Sequence, residues 1–167
     1  MPKLSAGLVL YRRRDMGVEI LLVHPGGPYW ARKDAGAWSI PKGEYLEGDD
    51  AYLAAQREFK EETGFDAPAG SPTALGDVKY SNKILSAWAV EGSVDARRIR
   101  STMFTMEWPP KTGKSQEFPE VDRAGWFPPA AAKEKLVKGQ VELIDRLCEQ
   151  IGVSADEGEI PSQMSLL

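Results

Sequence analysis

Arg57, Glu58, Glu61 and Glu62 crowd into the run Gln-Arg-Glu-Phe-Lys-Glu-Glu-Thr-Gly. The segment around them reads as a helix. Asp49 or Asp50 can cap its start, because a short side-chain oxygen accepts a bond from a free first-turn amide. Gly64 supplies a left-handed stop after Thr63. Acids at the C-terminal end of a helix face its partial negative charge and lower stability. Glu58 and Glu62 are four residues apart, so two like charges share one face, with Glu61 beside them. An arrangement that costs stability calls for a compensating cation. Hard divalent ions such as Mg2+ take oxygen ligands and bridge carboxylates to substrate phosphates. The plain alternative is a solvated acidic face, partly neutralised by Arg57 and Lys60.

The flanking residues bear on that choice. Pro41, Gly43 and Gly48 impose a turn ahead of the helix. From Gly43 the chain runs through five residues to Asp49, seven more, then Arg57-Glu58-Phe59-Lys60-Glu61-Glu62-Thr63-Gly64-Phe65. This resembles the Nudix box, glycine-x5-Glu-x7-Arg-Glu-aliphatic-x-Glu-Glu-x-glycine-aliphatic. Asp49 stands where the family has Glu, and Phe59 and Phe65 fill aliphatic places. Gly43, Arg57, Glu58, Glu61, Glu62 and Gly64 match.

The resemblance implies an α/β fold, the Nudix-type α/β/α sandwich with a mixed β-sheet. It implies hydrolysis of a nucleoside diphosphate linked to another group. It places Glu58 and Glu62 as metal ligands, helped by Glu61 and the Gly43 carbonyl, with Mg2+ as the cofactor and Mn2+ as the alternative. Divalent ions neutralise a diphosphate bridge, clamp attacking and leaving oxygens and acidify a bound water. Arg57 is expected to orient a box carboxylate through a two-pronged hydrogen bond. The base that takes the water's proton comes from the box or from a late loop, so Glu61, Glu117 and Glu120 are candidates. Asp49, one methylene shorter than Glu, leaves open whether it reaches Arg57.

The run Trp38-Ser39-Ile40-Pro41-Lys42-Gly43 looks like the lead-in of dinucleoside polyphosphate hydrolases of this family. Lys42 then meets a substrate phosphate as a point charge. Tyr29 and Trp30, with Arg32 and Lys33, suit stacking on a base beside a phosphate. The alternative is a loop anchored in the core. Lys111 and Lys114 are further phosphate contacts or solvated loop lysines. His24, the only histidine, follows an apolar run and reads as a hydrogen-bonded structural residue.

These residues need a scaffold. Leu4 to Tyr11 and Val18 to Val23 read as strands joined by a turn at residues 15–17. The basic run Arg12-Arg13-Arg14 reads as a solvated strand end. Residues 24–37 form a Pro- and Gly-rich loop. Trp38 to Ile40 is a short strand. Ala51, Ala55, Glu58 and Glu62 fall on one helical stripe, flanked by Tyr52 and Phe59, which should pack on the sheet. Thr73 to Tyr80 and Lys83 to Val90 form a strand pair around Ser81-Asn82. Asp95 to Ile99 is a short helical turn, Thr102 to Trp108 a strand, Pro109 to Pro119 a loop, and Ala124 to Phe127 a short strand. A helix begins at Pro128, and Gln140 to Ile151 is amphipathic. Residues 1–152 are expected to be one domain and 153–167 a flexible tail.

At 167 residues with 42% hydrophobic composition, the chain can bury a substantial core. A net charge of −4 argues against a nucleic-acid polymer as partner, while leaving room for a small nucleotide substrate on a local basic rim. One cysteine, Cys148, excludes an internal disulfide. No apolar run is long enough to span a membrane, so a cytoplasmic protein is expected. The oligomeric state is not readable.

The favoured substrate is a dinucleoside polyphosphate, with ADP-ribose or a damaged nucleoside triphosphate as alternatives. A non-catalytic binding module of the same fold would have no need to retain the costly acids. A prenyl-diphosphate isomerase would want a cysteine in the central region, and Cys148 falls in the last helix.

Overall fold

The computed structural model describes residues 1–15 and 17–156. Eight strands and three helices follow in the order β1 (Lys3–Arg14), β2 (Gly17–Pro25), β3 (Lys42–Glu44), α1 (Ala51–Thr63), β4 (Thr73–Tyr80), β5 (Lys83–Glu91), β6 (Met103–Glu107), β7 (Ser115–Pro119), β8 (Val121–Phe127), α2 (Pro129–Lys135) and α3 (Val141–Ile151). A short 3-10 turn, Ala96–Arg98, lies between β5 and β6.

The main sheet has the order β4-β5-β1-β2-β8, with β3 added along β1. It is mixed: β1 runs parallel to β5 and antiparallel to β2 and β3. Alternating side chains of the central strands supply two cores. Leu8, Leu10 and Leu21 point to the face covered by α1, where Ala54, Ala55 and Phe59 are buried. Val9, Ile20 and Leu22 point to the opposite face, against Leu136 of the α2 end and Leu143, Ile144 and Leu147 of α3. This is the expected α/β/α sandwich. Tyr52 packs edge to face on Trp88, ring centroids 5.5 Å apart, so both residues that flank the acidic stripe do face the sheet.

Several boundaries differ from expectation. The arginine run belongs to β1 rather than ending it, because Glu19 across the hairpin receives both Arg12 and Arg14, at 2.9 and 3.2 Å. Trp38 and Ser39 make isolated bridges to Leu136 and Val23, and the strand lies just after them at Lys42–Glu44, where a turn was expected. Ser115–Pro119 forms β7 instead of a loop. It pairs antiparallel with β6 in a two-stranded arm separate from the main sheet. The ladder to β6 holds this polar segment extended, which its own side chains do not announce. Val153 and Ala155 pack against the α3-side core, and residues 157–167 of the expected tail lie outside the described residues.

Candidate active site

α1 is fixed at both ends. The Asp50 carboxylate accepts the Leu53 N–H at 3.0 Å, and Gly64 adopts φ 81° while donating its N–H to Lys60 C=O. Phe59, fully buried, sets the rotation of the helix. That rotation aims Glu58 and Glu62 at β3. Gly43 has no side chain because there is no room for one: a Cβ there would overlap the Glu58 carboxyl group. The Glu58 carboxyl thus lies directly against the Gly43 backbone. Glu62 Oε1 accepts the Lys42 backbone N–H at 3.2 Å.

The electrostatics match this crowding. Glu58 is pushed up to about 7, by burial first and then by a hydrogen bond to Glu61 and the charges of Glu61 and Glu120. Burial also pushes Glu62 up to about 7, against the opposing pull of Lys42. Both acids therefore resist ionisation in the absence of a cation.

Glu120 arrives from far along the chain through one residue. Thr102 donates its N–H to Glu61 C=O at 2.8 Å and accepts the Glu120 N–H at 2.9 Å. The Gly26 N–H, in turn, donates to Glu120 C=O at 2.9 Å. These bonds place Glu120 at the end of α1. Glu117 is carried outward on β7 opposite Thr105.

A cavity of about 350 Å3 opens beside the carboxylates. Of the residues singled out in the sequence, Glu62, Glu120, Lys42 and Trp30 line it. So do Tyr80, Ser81, Lys83 and Gln140, which sequence reasoning missed. Lys83 follows a tight hairpin turn in which Ser81 and Asn82 have φ of 48° and 54°. A lysine at such a turn looks solvated from sequence, and no local signal marks it. Gln140 is fully buried and ties the wall together. It accepts the Ile40 N–H at 3.0 Å and donates to Ser39 Oγ at 2.9 Å and to the Tyr80 hydroxyl at 2.8 Å.

Other expected residues fall elsewhere. Arg57 makes no two-pronged bond to a carboxylate. It donates to Glu44 C=O at 3.3 Å, and its Nη2 stands 4.0 Å from Glu58 Oε1. The side chain is half-exposed and reaches across to the β3 end, which draws it away from the acids. Asp49 lines the same surface depression as Arg57 but forms no ion pair with it among the described residues. Tyr29 does not line the cavity; it packs on Trp108 of the arm. Lys111 and Lys114 sit at the exposed turn of the arm, away from the cavity. His24 is the structural histidine expected, fully buried, with its ring nitrogens 2.6 Å from Lys33 C=O and 2.8 Å from Asp122 Oδ1.

The sequence profile of the NUDIX domain matches residues 1–147. This chain belongs to the Nudix family. It is a Nudix pyrophosphohydrolase. Among solved structures, a C. elegans Ap4A hydrolase in a binary complex aligns with TM-score 0.63 and 20% identity, covering 89% of this chain and 98% of that one. The Nudix domain of Shewanella oneidensis NrtR, complexed with ADP ribose, aligns with TM-score 0.61 and 17% identity over 90% of this chain and 89% of that one. A mutT/nudix family protein from Listeria innocua gives TM-score 0.60 and 18% identity over 91% and 96%. At these identities the likeness is one of fold. No curated protein matches the chain.

Nudix hydrolases generally use divalent metal ions. Among the described residues, no three His, Cys, Asp or Glu side chains already stand at metal-ligand spacing. Glu61 instead stands beside Glu58 and, after burial, is the largest influence raising its pKa. The set Glu58, Glu61, Glu62 and Gly43 C=O is all oxygen, and its charge is unfavourable until a cation arrives. Both properties fit a hard divalent ion. No helix of the described residues is long and apolar enough to cross a membrane.

Proposed function

We propose that this Nudix hydrolase cleaves the phosphate chain of a dinucleoside polyphosphate, with Mg2+ held by Glu58, Glu62, Glu61 and the Gly43 carbonyl. When bound, the ion neutralises the phosphate oxygens and makes a coordinated water acidic. The observation that carries the reading is the cavity, where Lys42 and Lys83 oppose Glu62 and Glu120 with Trp30 at the wall. Its volume, about 350 Å3, lies at the small end for ligand sites and suits one nucleoside with part of its phosphate chain. Two ammonium groups answer a chain with several negative charges. Trp30 offers a flat apolar surface to a base.

In this reading each residue has one task. Lys42 and Lys83 hold non-reacting phosphates as point charges. Glu120, exposed in the cavity wall, takes the proton as water attacks phosphorus and the bridging P–O bond breaks. Glu61, whose charge raises the Glu58 pKa, adds a carboxylate beside Glu58 for the ion. Gly43 lets the Glu58 carboxyl approach the backbone. Arg57, bonded to Glu44 C=O, pins the β3 end beside the helix.

A substrate panel tests this. With Mg2+, diadenosine tetraphosphate should turn over faster than ADP-ribose or nucleoside triphosphates. Glu120→Gln should lower kcat by about 10²–10⁴-fold with little change in KM, the usual range for a lost general base. Faster hydrolysis of ADP-ribose would refute the substrate, and full activity in Glu120→Gln would refute the base.

A further inference from the structure

The β6–β7 arm stands apart from the main sheet and rises from the rim of the cavity. Its base is Glu120, which lines that cavity. Five strand residues extend roughly 17 Å at the usual rise per residue. Along β6 the larger side chains alternate to one face: Phe104 and Met106, continued by Trp108. That face turns toward the loop 26–30. The Phe104 ring lies against Gly27, within 3.0 Å of where a Cβ would stand. Trp108 meets Tyr29 edge to face, with ring centroids 5.2 Å apart and planes at 81°.

Tyr29 is nevertheless 57% exposed. Its neighbour Trp30 lines the cavity and is 39% exposed, with Lys33 Nζ 4.9 Å over its ring. Two large, braced and open aromatic rings therefore lead from the cavity onto the arm, and the arm ends in Lys111 and Lys114, both exposed. Aromatic faces interleaved with cations are the surface that a nucleobase and its phosphates recognise. The cavity has room for one nucleoside, so a substrate with a nucleoside at each end must place the other outside it.

We propose that Tyr29 and Trp108, with the lysine tip of the arm, form a second nucleobase subsite that selects substrates carrying a nucleoside at both ends. This rests on the reading of the cavity as the first nucleoside site. The Tyr29 ring presents its open face to the distal base, Trp108 braces that ring, and Lys111 and Lys114 attract the intervening phosphates.

The experiment compares diadenosine tetraphosphate with adenosine 5′-tetraphosphate, which has the same phosphate chain and only one base. The readout is the ratio of their kcat/KM values. Tyr29→Ala should lower this ratio by roughly tenfold, the usual scale for one lost base–aromatic stack. The loss should appear in KM for the two-base substrate, with its kcat retained. Trp108→Ala should act in the same direction, and Tyr29→Phe should restore the ratio. The double variant Lys111→Gln/Lys114→Gln, at an exposed turn that carries no core, should raise KM for both substrates by a similar factor, since both carry the phosphates, without changing the melting temperature. A ratio unmoved by Tyr29→Ala and by Trp108→Ala, or a KM unmoved by the lysine double variant, would overturn the subsite. A wild-type enzyme that hydrolyses ADP-ribose but not diadenosine tetraphosphate would overturn the proposed substrate and this subsite together, and that result precedes any variant.

Discussion

Glu62→Gln should make the metal-free enzyme more stable while removing its activity. Burial raises the Glu62 carboxyl from an ordinary 4.5 to about 7. A group with a raised folded-state pKa contributes stability that is fully present below the unfolded value and lost as pH rises through the folded one. Between about pH 4.5 and 7 the metal-free wild type therefore loses stability through Glu62. A shift of this size corresponds to about 3 kcal/mol by the standard conversion of pKa to free energy. Glu58 adds to the loss in the same window, reduced because solvent screens it. The amide that replaces the Glu62 carboxyl would not ionise, and its oxygen can still accept the Lys42 N–H. With chelator at pH 8 the variant should thus melt roughly 6–12 °C above wild type, taking the usual sensitivity for a chain of this size. At pH 4.5 the two should coincide. Millimolar Mg2+ should raise the wild-type melting temperature at pH 8 and leave the variant unmoved. The assay is thermal unfolding across pH with and without Mg2+. A variant less stable than wild type at pH 8 in chelator would refute the reasoning, as would undiminished turnover.

Other perturbations read other parts of the site. Gly43→Ala would drive a methyl group into the Glu58 carboxyl, and kcat should fall by about 10²-fold, the scale expected when a catalytic group is displaced by an ångström. Phe59→Ala should cost about 3–5 kcal/mol in urea unfolding, as a fully buried aromatic ring lost from the α1 side of the sheet. Asp50→Ala removes the α1 cap and should cost about 1 kcal/mol by the same measurement, with activity retained. His24→Leu removes both bonds that tie Lys33 C=O and Asp122 together across the 25–37 loop. KM should rise several-fold while kcat changes little, because Trp30 and Lys33 ride on that loop.

What can be read from the sequence is local. Asp50, Gly64 and the spacing of Phe59 with Glu58 and Glu62 define α1, its ends and its acidic face within one stretch of chain. Nothing comparable announces that β1 lies parallel to β5, since residues 3–11 pair with 83–91 across a long separation. β7 reads as a loop because Ser115, Gln116 and Glu117 carry no apolar alternation, and its extension comes from pairing with β6. The site divides in the same way. Glu58, Glu62 and Gly43 are legible because helix geometry and box spacing fix their relation. Glu120 can be named but not preferred decisively over Glu117, because its place depends on the bonds of Thr102. Lys83 and Gln140 are invisible, since only the folding of the β4–β5 turn and of the segment before α3 against Ser39 brings them to the cavity. Arg57 stands at the expected position with an unexpected partner: spacing fixes the residue, while the end of β3 decides what its guanidinium meets.

The central claim is that acids at the unfavourable end of α1 are kept there to hold a divalent cation. Mn2+ binding followed by electron paramagnetic resonance at pH 8 tests it most directly. Wild type and Glu117→Gln should bind the ion with similar affinity, while Glu58→Gln and Glu62→Gln should each bind at least tenfold more weakly. Equal affinity in wild type and Glu62→Gln, or loss of binding in Glu117→Gln alone, would contradict the account.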